Sequence, residues 1–371
     1  MIMNGAKDSP RYLTLLSQAL LGRENIGAGP FTQRGTVEPL ATVLSGFDRG
    51  DFSELWTLAT SNHVIMRAFP AFVGVLEESG NDRAEWFDNA MAKEQARIRQ
   101  ALSFLEPICR ALEEAGDVIV IKSLDHWPDL GSDLDLYTSA EARDVVAIMR
   151  DRFKAQVAER SWGDRLANKW NFVVPALPEL VEVHVTRLGQ TGEQIAITQS
   201  LIARSGMEEF GLRSFRVPAL EDRMLISTLQ RMYRHFYIRL CDVVDNARLV
   251  DSGRVDYRHL KSLAAPAGLW DGLATYLVII SGYVKSYRGE GLALPPRVTK
   301  AARFGDEAVR FARNFLRVPI FPQAIRLYAS EWTSLLRNGE IGNALRLSLL
   351  PGLATAAALE LKITGSDKGI W

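Results

Sequence analysis

The sequence predicts an α+β fold, with a small mixed sheet embedded in a larger, mostly helical body, and three observations carry that prediction. Val118, Ile119, Val120 and Ile121 form a β-branched run long enough for a buried strand, and Asp133-Leu134-Asp135-Leu136-Tyr137 alternates acid with apolar residue at period two. A second strand pattern, residues 180–185, sets Glu182 and His184 on one face and Val181, Val183 and Val185 on the other. Over most of the remaining chain, apolar residues recur at helical spacing.

Taken in order, residues 1–39 begin with a short helix over 11–21 and then turn Gly-rich through Gly22, Gly27, Gly29 and Gly35, so that 1–50 reads as an N-terminal arm. Residues 51–117 read as helical segments packing on the core. Leu55, Leu58, Ile65, Phe69 and Phe72 keep a helical period interrupted by Pro70, and a long helix follows from 83 to the stop at Gly116, with Pro107 inside it. Residues 118–217 form the sheet-bearing core. After the acid strand comes a helix over 140–156 with Ser139 as N-cap, then a loop carrying Trp162 and Arg165. Strands over 169–174 and 180–186 are joined through Pro175 and Pro178, a connection short enough for an antiparallel pair. A helix over 192–205 and an edge strand over 212–217 close the core. Residues 218–371 read as a helical C-terminal domain. It opens with one continuous helix over 221–250, on which Arg231, His235, Arg239 and Asp242 form a polar row at spacings of four, four and three.

Composition narrows the function classes. Forty-four basic and 44 acidic residues cancel to zero net charge, which argues against general nucleic-acid binding or a polybasic membrane anchor. Any anionic substrate is then gripped locally. Two cysteines, Cys109 and Cys241, cannot build a disulfide framework, so a reducing cytoplasm is the expected setting. The uncharged run 347–359 is too short for a transmembrane helix, at ~1.5 Å per residue against a hydrocarbon core of ~30 Å.

The chemistry concentrates on Asp133 and Asp135. Two residues apart on a strand, they point to one face with Cα atoms roughly 6–7 Å apart, close enough for both side chains to converge on one hard divalent cation. A lone Asp-x-Asp also occurs on solvated edge strands; here a Pro- and Gly-punctuated turn runs from Ile121-Lys122-Ser123 through Pro128 and Gly131 to Ser132, and Glu182 supplies a third acid. Three carboxylates on neighbouring strands beside a small hydroxyl suit two-metal phosphoryl chemistry.

These motifs resemble the nucleotidyltransferases of the DNA polymerase beta superfamily. Within it they are most similar to the uncharacterised bacterial nucleotidyltransferase family whose members read Lys-Gly, Asp-x-Asp, a Glu-x-His strand, and a helical tail with a His and an Arg-to-Asp segment. The matching residues are Lys122-Ser123, Asp133-Leu134-Asp135, Glu182-Val183-His184, and His235 with Arg239 and Asp242, so the likeness covers about 58–250. Ser123 stands where that family usually has Gly; the wider superfamily accepts Ser there.

The resemblance implies a nucleotidyltransferase-type sheet and transfer of a nucleoside monophosphate from a nucleoside triphosphate, ATP foremost, to a small-molecule or macromolecular acceptor. Asp133, Asp135 and Glu182 are the implied catalytic residues and the ligands of Mg²⁺ or Mn²⁺. Lys122, Ser123, Ser132, His184, His235 and Arg239 are the implied nucleotide-binding residues. Two readings of the row holding His235 and Arg239 stay open, a solvated face or a reach toward the triphosphate; His184 either orients Glu182 or is a packed histidine. Two other functions compete: a nucleotide-binding module without turnover, and a toxin-like transferase acting on tRNA, which the neutral charge disfavours.

Overall fold

Strand-forming residues cluster in the first half of the chain, and the computed structural model, which describes residues 10–22, 40–350 and 352, gathers them into an α+β fold. Helices α1 (Pro10–Leu21), α2 (Leu40–Ser45), α3 (Arg49–Ser61) and α4 (Ile65–Glu78) precede the long α5 (Ala84–Glu113). The central sheet follows with β1 (Val118–Val120), β2 (Asp133–Thr138), helix α6 (Ala142–Phe153), β3 (Gln156–Val157), the short α7 (Trp162–Leu166), β4 (Lys169–Val173) and β5 (Leu180–Val185). Helix α8 (Ile195–Arg204) leads to a hairpin of β6 (Gly206–Phe210) and β7 (Arg213–Val217). Helix α9 (Leu220–Thr228), strand β8 (Tyr237–Ile238), α10 (Leu240–Asp251), α11 (Tyr257–Ala264) and α12 (Trp270–Arg288) build the second body, to which β9 (Arg310–Ala312) and β10 (Phe315–Arg317) add a three-stranded sheet with β8. Helices Ile325–Arg337 and Ile341–Ser348 end the described chain.

The central sheet runs β1-β2-β5-β4-β3. Its one parallel pair is β2 with β5; every other pair is antiparallel, including β4 with β5. Period two decides its two faces. Leu134, Leu136, Val181, Val183 and Val185 face a core built with Ile98, Leu102, Leu105, Ile108 and Leu112 of α5. Ile119, Ile121 and Tyr137 face the other way, into the helical body. The polar residues of β2 and β5 alternate with the first set, so they lie in the seam between sheet and body. Helix α5 binds the two together: Phe87 and Ala90 in its first turns belong to the helical core, and its later turns to the sheet core.

Several expectations are corrected. Helix α1 is a core element rather than part of an arm: Leu13 and Leu16 are buried and Ser17 hydrogen-bonds Tyr283 at 2.6 Å. The Gly-rich stretch 23–39 and most of the run 347–359 lie outside the described residues. Ser139 does not cap α6. Glu141 holds that position, while the Ser139 hydroxyl accepts from the Asp117 N–H at 2.8 Å. Trp162 and Arg165 lie in α7, capped by Ser161, rather than in a loop.

The largest correction concerns 221–250, which is not one helix. Helix α9 widens into a π-helical turn over Leu229–His235, Phe236 takes a left-handed φ of 54°, and Tyr237–Ile238 pair with β10 before α10 begins. The His-Phe-Tyr-Ile run carries β propensity that a sheet edge can use, and no Gly or Pro marks the break. Among the described residues, no helix is long and apolar enough to cross a membrane, and both cysteines are buried and unpaired.

Candidate functional site

Strand register assembles the site. Across β2, β5 and β4 one row of the sheet reads Asp135, Glu182, Asn171 and the next Tyr137, His184, Lys169. Residues paired across strands share a face, so Asp135 and Glu182 meet directly, and Asp133 lies one pleat along at the more exposed end of β2. The adjoining turn starts at Lys122, whose positive φ of 60° aims its side chain back over the acids. The ammonium salt-bridges Asp135, lies 3.2 Å from Glu182 Oε1 and reaches within 3.4 Å of His184 Nε2. Lys169 holds the other Glu182 oxygen at 2.9 Å and Asp164 at 2.7 Å. His184 Nε2 lies 2.8 Å from Glu182 Oε1, and its buried Nδ1 has no hydrogen-bond partner.

The electrostatics follow from burial and from sharing two lysines among Asp133, Asp135 and Glu182, with Asp164 drawing on Lys169 as well. When all three carboxylates are ionised they outweigh the two ammoniums. Burial, reinforced by Glu182 and Asp133 and opposed by Lys122, pushes the Asp135 carboxyl up to about 8. Glu182 goes the other way: burial acts to raise it, but Lys122 and Lys169 outweigh burial and hold it well below the usual carboxylate range. Asp133 is raised by burial and by Glu182. Burial and the Lys122 charge bring the His184 imidazole down to about 4, so it is neutral at pH 7.

Of the expected site residues, Asp133, Asp135, Glu182, Lys122 and His184 come together. Ser123 is adjacent but faces the backbone: its buried hydroxyl accepts from Asp135 N–H at 2.7 Å and donates to Asp133 C=O at 2.9 Å. It pins the turn to β2, so any phosphate contact of that turn falls to other groups. Ser132 is exposed at the rim, 3.4 Å from Asp133 Oδ2. His235 and Arg239 do not hydrogen-bond the acids. His235 lies against the Tyr237 ring, and Arg239 Nη1 is 2.7 Å from His63 Nε2. The helix carrying their row is broken; Asp242 ion-pairs with Arg231 at 2.7 Å and accepts from the Arg239 backbone N–H at 2.7 Å.

Lys169, Asn171, Asp164 and Arg234 escaped the sequence reading. The first two sit in the same period-two pattern, with Lys169 and Asn171 alternating against Trp170 and Phe172, so the signal was present on β4. Arg234 comes within 3.8 Å of Asp164, a contact that exists only because the π turn redirects it.

The donor set suits a hard divalent cation: Asp135, Glu182 and His184 each offer an atom within 4.8 Å of the others, and Asp133 stands beside them. The cationic group now between Asp135 and Glu182 is the Lys122 ammonium, so a metal held there shares or takes over its neutralising role. A second group, His126, Cys241 and Asp245, meets the same distance limit, but both Asp245 oxygens are engaged at 2.5 Å, one by Arg67 and one by His126. No family model, curated protein or solved structure matches this chain.

Proposed function

We propose that the chain is a metal-dependent nucleotidyltransferase that moves a nucleoside monophosphate from a nucleoside triphosphate, ATP foremost, to an acceptor hydroxyl. The observation that carries the reading is the register of β2 with β5, which sets Asp135 against Glu182 with Asp133 on the same face. In the reaction the acceptor oxygen bonds to the α-phosphorus, the bond from that phosphorus to the α,β-bridging oxygen breaks, and pyrophosphate leaves. Glu182, the carboxylate held ionised, receives the hydroxyl proton. Mg²⁺ or Mn²⁺ held by Asp133, Asp135 and Glu182 would supply charge neutralisation at the phosphates and a lowered pKa at the acceptor hydroxyl. Lys122, Lys169 and Arg234 give the seam its positive charge and orient the triphosphate. Ser123 holds the turn in place. Two buried, unpaired cysteines fit a cytoplasmic setting.

One observation favours a second reading, a nucleotide-binding module without turnover: two lysines already satisfy Glu182, and the Ser123 hydroxyl is spent on the backbone. The separating experiment incubates the protein with each α-labelled triphosphate, Mg²⁺ and a cell extract, and identifies the labelled product by mass spectrometry. Label transferred with release of pyrophosphate supports the enzyme; nucleotide bound without either supports the module.

A further inference from the structure

Next to the acid cluster, beyond Lys122, lies a cavity of about 180 Å³ that the proposed reaction has not used. It is framed by two helix faces and a turn. Arg223, Ser227 and Gln230 line it from α9 and its π-helical extension, Asn246 and Arg248 from α10, and Asp125 from the turn. Leu249 is the one apolar side chain on its wall. Lys122 connects it to the acids, since the same side chain lines the cavity and salt-bridges Asp135.

Asn246 shows that the cavity expects a hydrogen-bonding ligand. It is 2% exposed, and its Nδ2 is fully used, donating to Asp242 C=O at 2.9 Å and to the Tyr276 hydroxyl at 3.1 Å. That carbonyl contact fixes the amide orientation, which leaves the buried Oδ1 with no donor. Among the described residues, Gln230 and Arg248 likewise have no side-chain hydrogen bond or ion pair, and the nearest cation to Asp125 is Arg223 Nε at 3.6 Å.

We infer that this cavity binds the acceptor of the proposed transfer, and that the acceptor is an uncharged polyhydroxylated molecule of the monosaccharide class. The lining decides the class. Asp125, which no cation among the described residues approaches closer than 3.6 Å, opposes a phosphate or carboxylate, while Arg223 and the unpaired Arg248 oppose an amine. A sugar hydroxyl both donates and accepts, so it answers the carboxylates, the guanidinium groups and the orphan Asn246 oxygen together. The one ring on the wall, the His126 imidazole, already stacks on His63 and holds Asp245, which leaves a nucleobase little to stack on. The volume of about 180 Å³ has room for one sugar ring.

The inference rests on the transfer reading for the word acceptor, and its test separates the two. Saturation-transfer NMR on the full chain without nucleotide uses N-acetylglucosamine, methyl glucoside and myo-inositol as probes, with glucose 1-phosphate and glucosamine as charged controls. MnATP binding is measured on the same sample. At least one neutral probe is expected to saturate ahead of both charged controls, and to weaken by about tenfold in Asn246→Leu and in the exposed Arg248→Ala. Failure of every neutral probe to saturate, or tighter binding of a charged control, overturns the inference even if MnATP binds. Neutral-probe binding in a protein that does not bind MnATP keeps the cavity assignment and removes the transfer reading.

Discussion

Asp135 and Glu182 stand opposite each other in the register of two parallel strands, with the Lys122 ammonium in contact with both carboxylates. The pair is asymmetric. Lys122 is shared, but of the two acids only Glu182 also has Lys169, so Glu182 stays ionised while burial pushes Asp135 up to about 8.

Removing each charge therefore has a different effect on stability. Asp135→Asn removes a carboxyl whose ionisation burial already disfavours and is expected to change unfolding free energy by less than ~1 kcal/mol. Glu182→Gln leaves two buried ammoniums short of a partner and is expected to cost about 3–5 kcal/mol. Urea denaturation of both variants checks the contrast; equal losses would contradict it.

Lys122 neutralises the acids from within. In Lys122→Met the carboxylates lose that compensation, so the metal-free protein should melt lower than wild type. The rise in Tm on adding MnCl₂ should in turn exceed the wild-type rise. Calorimetry with and without MnCl₂ measures both quantities.

Two histidines set opposite pH trends in separate windows. The folded state holds His184 down at about 4, below an unfolded value near 6.5, so the unfolded chain takes up a proton first and stability falls as pH drops from 6.5 to 4. The loss is roughly 3 kcal/mol, and the difference between wild type and His184→Gln should show it. At His126, burial acts to lower the pKa, but Cys241 and Asp245 outweigh it and hold the imidazolium well above 6.5. Its contribution is complete below pH 6.5 and fades as pH rises above it, so His126→Gln should flatten the alkaline side of the profile.

Arg231 and Asp242 form a buried pair at 2.7 Å, with the side chains 1% and 3% exposed. Asp242 also caps α10 by accepting from Arg239 N–H at 2.7 Å. Arg231→Met should cost about 3–5 kcal/mol in urea denaturation by leaving Asp242 buried and unpaired. A loss below ~1 kcal/mol would assign the pair no structural role.

The acid strands were legible because one face of each is apolar, and that pattern fixes which side chains share a face: Leu134 and Leu136 on one side put Asp133 and Asp135 together on the other. The same rule applied to Trp170 and Phe172 places Lys169 beside Glu182, although a lysine on its own gives no cue to metal chemistry. The break after Thr228 was not legible. Residues 221–250 contain neither Gly nor Pro, and the turn at Phe236 is held by pairing of Tyr237 with Arg317, far along the chain. With that break went the polar row, and the cavity face formed by Asp242, Asp245, Asn246 and Leu249 of α10 took its place. The role of α1 depends on distance in the same way, through Ser17 meeting Tyr283, 266 residues away.

Titration of Mn²⁺ into the protein in the presence of ATP, followed by electron paramagnetic resonance, tests the carboxylate site most directly. ATP-dependent Mn²⁺ binding is expected in wild type, with a loss of affinity of at least about tenfold in both Asp133→Asn and Asp135→Asn. Equal Mn²⁺ affinity in wild type and both variants would contradict the assignment of these strands as the metal and nucleotide site.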